Sequence, residues 1–241
     1  MAPTRTAVVR GEAGVALGVV IPAFRAAATV GAVVAGVRGA APQARVYVVD
    51  DGSGDDTGPA AGQAGATVVT QTHNGKGAAL AAGIGRAVTD GATVIVTLDA
   101  DGQHLPGEIP QLLEPVMRRE ADLVLGSRAR TGAMPAGRRF NNWLSAALVS
   151  RVAGYEVADA QTGFRAFSRQ VTEQVRPLQR HYDYELAFLL GALTAGFRVS
   201  SIPVSTVYDG ARSHFHAVAD TWRLARVFAQ HGGRILGGRG A

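Results

Sequence analysis

A chain of 241 residues with 47% hydrophobic content can bury one large α/β core, and its lack of cysteine excludes disulfides, thiolate catalysis and Cys-ligated zinc. Its 24 Lys and Arg against 19 Asp and Glu leave a formal charge of +5, which favours an anionic partner: a phosphorylated substrate, an acidic lipid surface or nucleic acid. Nucleic acid is not expected, because no basic patch is interleaved with aromatics. Residues 1–11 carry no apolar signal core, and no run approaches the roughly 18 apolar residues of a spanning helix.

Residues 1–14 read as a flexible leader. Val15 to Ile21 is an apolar run closed by Pro22, the pattern of a buried strand, and Ala26 to Val37 suits a short helix. Val46 to Val49 is a second strand, ending in Asp50-Asp51-Gly52-Ser53-Gly54-Asp55-Asp56-Thr57. Repetition of strand, turn and helix predicts a parallel sheet built from βαβ units. Thr67 to Thr70 gives a third strand, and Asn74-Gly75-Lys76-Gly77 leads into an alanine-rich helix from Ala78 to Val88. Glycines at such a junction let backbone N–H groups approach a phosphate at the helix N-terminus. The P-loop spacing is absent, however, and Lys76 is equally at home as a solvated cation at a turn.

Thr93 to Leu98 is β-branched and aliphatic throughout, as in a strand buried on both faces. Asp99 and Asp101 stand at its exit, followed by Gly102-Gln103-His104. Ligands of open α/β sheets bind beyond the carboxyl ends of the strands, and paired carboxylates there suit Mg²⁺ or Mn²⁺ with a diphosphate completing the shell. Asp and Gly after a strand are also ordinary turn formers. Ile109 to Met117 has helical spacing, and Ala121 to Leu125 is a strand that delivers Gly126-Ser127-Arg128 to the same edge. An arginine there can hold phosphate with its planar fork or pair with one of those aspartates. A Gly/Pro loop after Thr131 leads through Arg138 and Arg139 to a predicted helix from Phe140 to Val152. Gln161-Thr162-Gly163-Phe164-Arg165 then has the look of a loop entering a strand. Tyr184 to Leu193 is an apolar helix with a lone acid, Glu185, which is either paired in the core or part of a site. Phe197 to Val204 is a last strand, and Ala217 to Ile235 is a basic amphipathic helix suited to a membrane surface or to docking on its own domain.

The ordered blocks Ile21-Pro22-Ala23, Asp50-Asp51-Gly52-Ser53, Asn74-Gly75-Lys76-Gly77, Asp99-Ala100-Asp101-Gly102-Gln103-His104, Gly126-Ser127-Arg128 and Gln161-Thr162-Gly163-Phe164-Arg165 together resemble a family 2 glycosyltransferase of the GT-A fold. The resemblance runs over residues 15–230 and points most closely to the polyprenyl-phosphate (dolichol-phosphate mannosyl- or glucosyl-) transferase branch. It implies a single catalytic α/β domain over 15–216, with a Rossmann-like, mostly parallel central sheet flanked by helices, followed by a helix and tail over 217–241. The implied activity is inverting, metal-dependent transfer of mannose or glucose from a UDP- or GDP-hexose to a polyprenyl phosphate. The implied place is the cytoplasm, peripheral on the inner face of the cell membrane.

By position, the resemblance makes Pro22, Ala23, Asp50, Asp51, Lys76, Asp99 and Ala100 donor-binding and Asp99, Asp101 and Gln103 ligands of Mg²⁺ or Mn²⁺. Asp101 and Arg128 would be catalytic, and Arg128, Arg138, Arg139, Arg212 and Ser213 would hold the acceptor. Arg212 and Ser213 lie in Tyr208 to Phe215, which resembles the segment that closes over donor and acceptor in relatives. Relatives commonly read Pro-Ala-Tyr-Asn-Glu after the first strand; this chain has Pro22-Ala23-Phe24-Arg25-Ala26, without the acid that helps recognise the nucleoside. A phosphate monoester is already an anionic nucleophile, whereas a neutral hydroxyl needs a base, with His104, Asp159 and Glu185 as candidates. Two alternatives stay open: the same chemistry on a soluble small-molecule or saccharide acceptor, and a non-catalytic nucleotide-sugar-binding module.

Overall fold

The computed structural model describes residues 15–128, 159–181 and 183–207, together with positions 146, 147, 149–151, 154 and 157. Strand β1 (Leu17–Ala23) is buried at all seven positions and passes through a turn into helix α1 (Val30–Ala40). The helix begins four residues later than its apolar spacing predicts, because Arg25 takes a positive φ of 52° and the Ala26 carbonyl accepts the N–H groups of Thr29 and Val30 in a turn. Strand β2 (Arg45–Asp50), helix α2 (Thr57–Gln63), strand β3 (Thr67–Thr70), helix α3 (Lys76–Thr89) and strand β4 (Val94–Thr97) follow. Next come a short 3₁₀ turn (Pro106–Glu108), helix α4 (Ile109–Met117) and strand β5 (Leu123–Arg128). Strand β6 (Arg165–Ser168), helix α5 (Arg169–Gln174), helix α6 (Tyr184–Thr194) and strand β7 (Val199–Val204) complete the described elements.

The seven strands form one sheet in the order β3-β2-β1-β4-β6-β5-β7. All pairings are parallel except those of β6, which runs antiparallel to both β4 and β5. The expected α/β sheet is therefore found, and the loop expected over Gln161 to Arg165 does enter a strand. The antiparallel sense of that strand has a consequence for the edge. Because two reversals restore direction, β5 ends at the same edge as β1, β2 and β4, while β6 begins there. Its first residue, Arg165, thus meets the exits of the parallel strands.

Alternation along the inner strands feeds two cores. Val19, Ile21, Val94 and Val96 pack on the side of Val33, Val34 and Val37 of α1 and Leu112 and Leu113 of α4. Val20, Ile95, Leu123 and Phe167 pack on the other side with Leu80 and Ile84 of α3 and Leu186 and Leu190 of α6. Covering on both faces is why these strands read as continuous apolar runs. The order reverses at β1, with β2 on one side and β4 on the other, which makes the crevice at their carboxyl ends the topological switch point where such sheets bind ligands. Among the described residues no helix is long and apolar enough to cross a membrane. The leader over 1–14, most of the helix expected from Phe140 to Val152, and the helix expected over Ala217 to Ile235 lie outside the described residues.

Asp122 ties the start of β5 to that of β7: its carboxylate accepts the Arg198 backbone N–H at 2.9 Å and the Arg198 guanidinium at 3.1 Å. The hydrogen bonds from Arg198 hold the Asp122 carboxyl below the ordinary carboxylate value of 3.8. A depressed carboxyl stabilises the fold above its unfolded pKa and loses that contribution as pH falls through its folded value. Chemical unfolding should therefore show wild type slightly more stable than Asp122→Asn at neutral pH, a small gap in keeping with a partly exposed pair. The gap should close as the pH is taken below 3.8.

Candidate functional site

The carboxyl ends of β1, β2, β4 and β5 bring the sequence blocks to one edge, where each acid acquires a partner for a local reason. Asp50 ends β2, and its carboxylate caps the turn that follows by accepting the Ser53 N–H at 3.0 Å and the Ser53 hydroxyl. Asp51 is buried and reaches across to the loop before α3, accepting Gln71 Nε2 at 2.6 Å, Asn74 N at 2.8 Å and Gly75 N at 2.9 Å. His73 sits 2.9 Å from the same carboxylate. Asp51 thus organises the Asn74 to Gly77 loop from within. Pro22, Ala23 and Ala100 are buried; the Ala23 carbonyl accepts Asp51 N at 2.9 Å and the Ala100 carbonyl accepts the Thr29 hydroxyl at 2.6 Å.

The loop delivers Lys76 to the first position of α3, and Gly75 makes the delivery possible. Its φ is +95°, and a Cβ there would run into His181 and the Arg180 carbonyl, so the segment before α6 can lie directly over the helix start. The Lys76 ammonium is 2.7 Å from Asp99 Oδ1 and 2.8 Å from Glu185 Oε1. Burial works against its charge, yet the pull of Asp99 and then Glu185 carries Lys76 well above the ordinary lysine range. Asp99 is likewise disfavoured by burial but is held below the ordinary carboxylate range by Lys76, with His104 and Arg128 adding to the effect. Lys76 is therefore not the solvated turn cation that its loop also allowed.

Two residues of the entering loop complete this arrangement. The Thr97 hydroxyl donates to the Gly163 carbonyl at 2.8 Å, and a Cβ on Gly163 would lie 2.8 Å from Asp99 Oδ1 and 2.9 Å from Oδ2. Arg165, only 2% exposed, donates to the carbonyls of Thr162 at 2.8 Å, Glu185 at 2.6 Å and Ala160 at 3.1 Å. One buried side chain thereby fixes both the loop behind Asp99 and the start of α6. The sequence motifs assign Arg165 no role; the signal available for it is a lone cation inside Phe164-Arg165-Ala166-Phe167.

Asp101 is exposed at the mouth, its Oδ1 accepting the Gln103 N–H at 3.0 Å. His104 is 3% exposed, and burial pushes its imidazole below the ordinary histidine value despite the pull of Asp99. The segment after β7 lies against this loop: Val207 N donates to the Gln103 carbonyl at 3.0 Å, and Ser205 N donates to the Glu108 carboxylate at 3.0 Å. Among the described residues no three His, Asp or Glu side chains gather into a complete metal cage. Two carboxylates and an amide following one strand, Asp99, Asp101 and Gln103, are the donor types that suit a hard divalent cation whose shell is finished by phosphate oxygens and water.

Arg128 is the second cation of the edge. Its Nε is 2.7 Å from Asp159 Oδ2 and its Nη2 3.3 Å from Oδ1, with Asp159 only 1% exposed. The ion pair that its position allowed is formed, though with Asp159 rather than with Asp99 or Asp101. At the end of β1, Phe24 is exposed and stacked on His73 at 4.3 Å between centroids, with the Arg25 guanidinium 5.1 Å from its ring. These side chains occupy the place where the resemblance expected Tyr-Asn-Glu. Arg138, Arg139, Arg212 and Ser213 lie outside the described residues.

Comparison with known proteins gives the family from sequence and a shared fold from structure. The model of glycosyl transferase family 2 matches residues 18–176. The chain is 32% identical over 197 residues to an uncharacterised protein of Methanocaldococcus jannaschii, covering 79% of this chain and 81% of that one. It is 32% identical over 206 residues to the polyprenol monophosphomannose synthase of Mycolicibacterium smegmatis, covering 78% and 76%. It is 29% identical over 201 residues to the undecaprenyl-phosphate mannosyltransferase of Micrococcus luteus, covering 78% and 82%. Among solved structures, glucosyl-3-phosphoglycerate synthase from Mycobacterium tuberculosis in complex with Mn²⁺, UDP and phosphoglyceric acid superposes with a TM-score of 0.72 at 22% identity, covering 92% of this chain and 79% of that one.

The contact between Gly163 and Asp99 predicts a sharp steric effect. Gly163→Ala should displace the Asp99 carboxylate from Lys76, visible in a crystal structure of the variant. Overpacking should also lower unfolding stability by about 1–3 kcal/mol in a denaturant titration.

Proposed function

The chain belongs to glycosyl transferase family 2, and from that premise we propose that it moves mannose or glucose from a UDP- or GDP-hexose to a polyprenyl phosphate in one inverting displacement. In this proposal Asp99, Asp101 and Gln103 hold Mg²⁺ or Mn²⁺, and the bound cation supplies Lewis-acid stabilisation of the departing diphosphate. Asp50 and the turn it caps face the nucleoside. Asp51 serves the donor indirectly, by shaping the loop that carries Lys76. Arg128, oriented by Asp159, is assigned to the acceptor phosphate, and Arg138, Arg139, Arg212 and Ser213 join it by position in the sequence. The bond between the anomeric carbon and the diphosphate oxygen breaks as one to an acceptor phosphate oxygen forms.

The observation that carries the choice of acceptor is the state of the three candidate bases. His104, Asp159 and Glu185 are 3%, 1% and 4% exposed, and the two carboxylates are bound to Arg128 and Lys76. A neutral hydroxyl acceptor would need a base within hydrogen-bond reach of its proton. A phosphate monoester does not, so this site suits an acceptor that arrives already charged. The Mycolicibacterium polyprenol monophosphomannose synthase and the Micrococcus undecaprenyl-phosphate mannosyltransferase support the same choice. An isoprenoid acceptor would place the reaction at a membrane surface, which in this proposal the chain meets by peripheral contact. A soluble acceptor is the second candidate, favoured by the fold it shares with a synthase crystallised with phosphoglyceric acid.

The test is transfer from radiolabelled GDP-mannose, GDP-glucose, UDP-glucose and UDP-mannose, with Mg²⁺ or Mn²⁺, to polyprenyl phosphate in detergent or to a panel of soluble phosphorylated acceptors. A labelled lipid product is expected with one donor. Asp101→Ala should reduce turnover by at least about a hundredfold while circular dichroism shows an intact fold. Label found only in soluble products would overturn the lipid acceptor, and wild-type turnover by Asp101→Ala would remove the metal role.

A further inference from the structure

The Lys76 ammonium lies where two carboxylates converge, 2.7 Å from Asp99 and 2.8 Å from Glu185, and all three side chains are a quarter exposed or less. Glu185 is 4% exposed, and its second oxygen, Oε2, has no hydrogen-bond partner in the described structure. A buried carboxylate with an unsatisfied oxygen is a poor choice for stability alone, because an apolar residue of similar size would avoid the desolvation. Its chemical effect is to hold the lysine over Asp99.

We propose that Lys76, anchored by Glu185, is a resident counter-cation of Asp99 that makes divalent-cation binding at the β4 exit depend on the donor diphosphate. This role rests on the assignment of Asp99 as a metal-holding residue. With the ammonium in place, Asp99 offers an incoming cation little net negative charge, and the exposed Asp101 alone holds one weakly. A donor diphosphate supplies further anionic oxygens, and the ammonium can then neutralise part of that charge. Cation and nucleotide become reciprocally coupled, each raising the affinity for the other by the same factor. Glu185 acts here as a positioning residue, through Lys76, whereas the ammonium itself acts on Asp99 and, once the donor is bound, on its diphosphate.

The two residues predict opposite effects, which a purely structural ion pair would not give. Replacing the lysine leaves Asp99 and Glu185 unneutralised around one point and should strengthen cation binding without nucleotide. Replacing the glutamate leaves the ammonium to Asp99 alone, makes the site more positive and should weaken it. The experiment is Mn²⁺ titration at fixed neutral pH, read by electron paramagnetic resonance of free Mn²⁺, on the full chain with no nucleotide, with UDP and with GDP. Wild type should bind Mn²⁺ at least about tenfold more tightly with one of the nucleoside diphosphates than without. Lys76→Gln should bind Mn²⁺ alone about tenfold more tightly than wild type and gain less from nucleotide. Glu185→Gln should bind it more weakly than wild type in both conditions.

Unchanged or weaker Mn²⁺ binding by Lys76→Gln alone, against a wild type that binds Mn²⁺ with nucleotide, would overturn the counter-cation role and leave the metal assignment standing. Wild type that binds no Mn²⁺ even with both nucleotides would remove the metal assignment and this role together. Thermal melts identify a variant that fails to fold. Should Lys76→Gln do so, Glu185→Gln decides: equal or tighter Mn²⁺ binding than wild type overturns the role.

Discussion

A lysine held between two carboxylates at the end of the central strand fixes the relation of three segments that are far apart in the chain. Asp99 leaves β4 with its side chain three-quarters covered, Lys76 opens α3, and Glu185 lies in the first turn of α6. None of these charges can be covered without the others, since a buried charge is tolerated only when paired. The loop that carries the lysine is itself shaped by Asp51, and the helix that carries the glutamate is tied down through the Glu185 carbonyl by Arg165. The strand exit therefore inherits its geometry from side chains that never reach the surface of the cleft.

Such an arrangement contributes little to stability and much to shape. A buried ion pair is often no better for stability than a packed apolar substitute, but breaking one partner leaves an uncompensated charge. Arg165 follows the same logic with carbonyls in place of acids. Its three bonds satisfy main-chain oxygens that a loop tucked under a strand exit would otherwise leave unpaired. The gain is preorganisation: Gly163 is pressed so close to Asp99 that the carboxylate has few places to go. Electrostatic sites work best when their charges need no rearrangement at the moment of reaction.

Much of this was legible from residue order, and what escaped did so for identifiable reasons. The inner strands declared themselves because both faces are covered, so Val19 to Ile21 and Val94 to Val96 read as unbroken apolar runs. Thr67–Thr70 and Ile109–Met117 fall where the sequence predicts them. Helix α2 passed unseen because Thr57-Gly58-Pro59 is turn chemistry, and its start is fixed by the Asp55 side chain rather than by apolar spacing. The antiparallel sense of β6 cannot be read from a pattern of alternation, which is the same in either direction. Candidate ligands at strand ends were visible as local motifs, whereas the partners that decide their state were not. Lys76 with Glu185, Arg128 with Asp159 and Arg165 with the carbonyls around it are long-range or loop-dependent pairs, and no spacing rule links them.

The charge balance of the cleft connects these local facts to the composition. Among the described residues at the strand exits, Lys76 faces Asp99 and Glu185 and Arg128 faces Asp159, while Arg165 is bound to carbonyls and Arg25 lies beside the Phe24 ring. Against these cations stand Asp50, Asp51, Asp99, Asp101, Asp159 and Glu185, so the acids there outnumber the cations. The formal +5 of the chain thus has to come from arginines elsewhere, of which Arg138, Arg139, Arg223 and Arg226 are examples in the sequence. A diphosphate placed beside Asp99 and Asp101 would add negative charge to a place with no surplus of positive charge. Repulsion of that kind is relieved most directly by a small divalent ion shared between carboxylates and phosphate oxygens. The same balance explains why a basic protein presents an acidic strand exit: the overall charge governs attraction of anionic partners at a distance, whereas the local acids govern what must accompany them into the cleft.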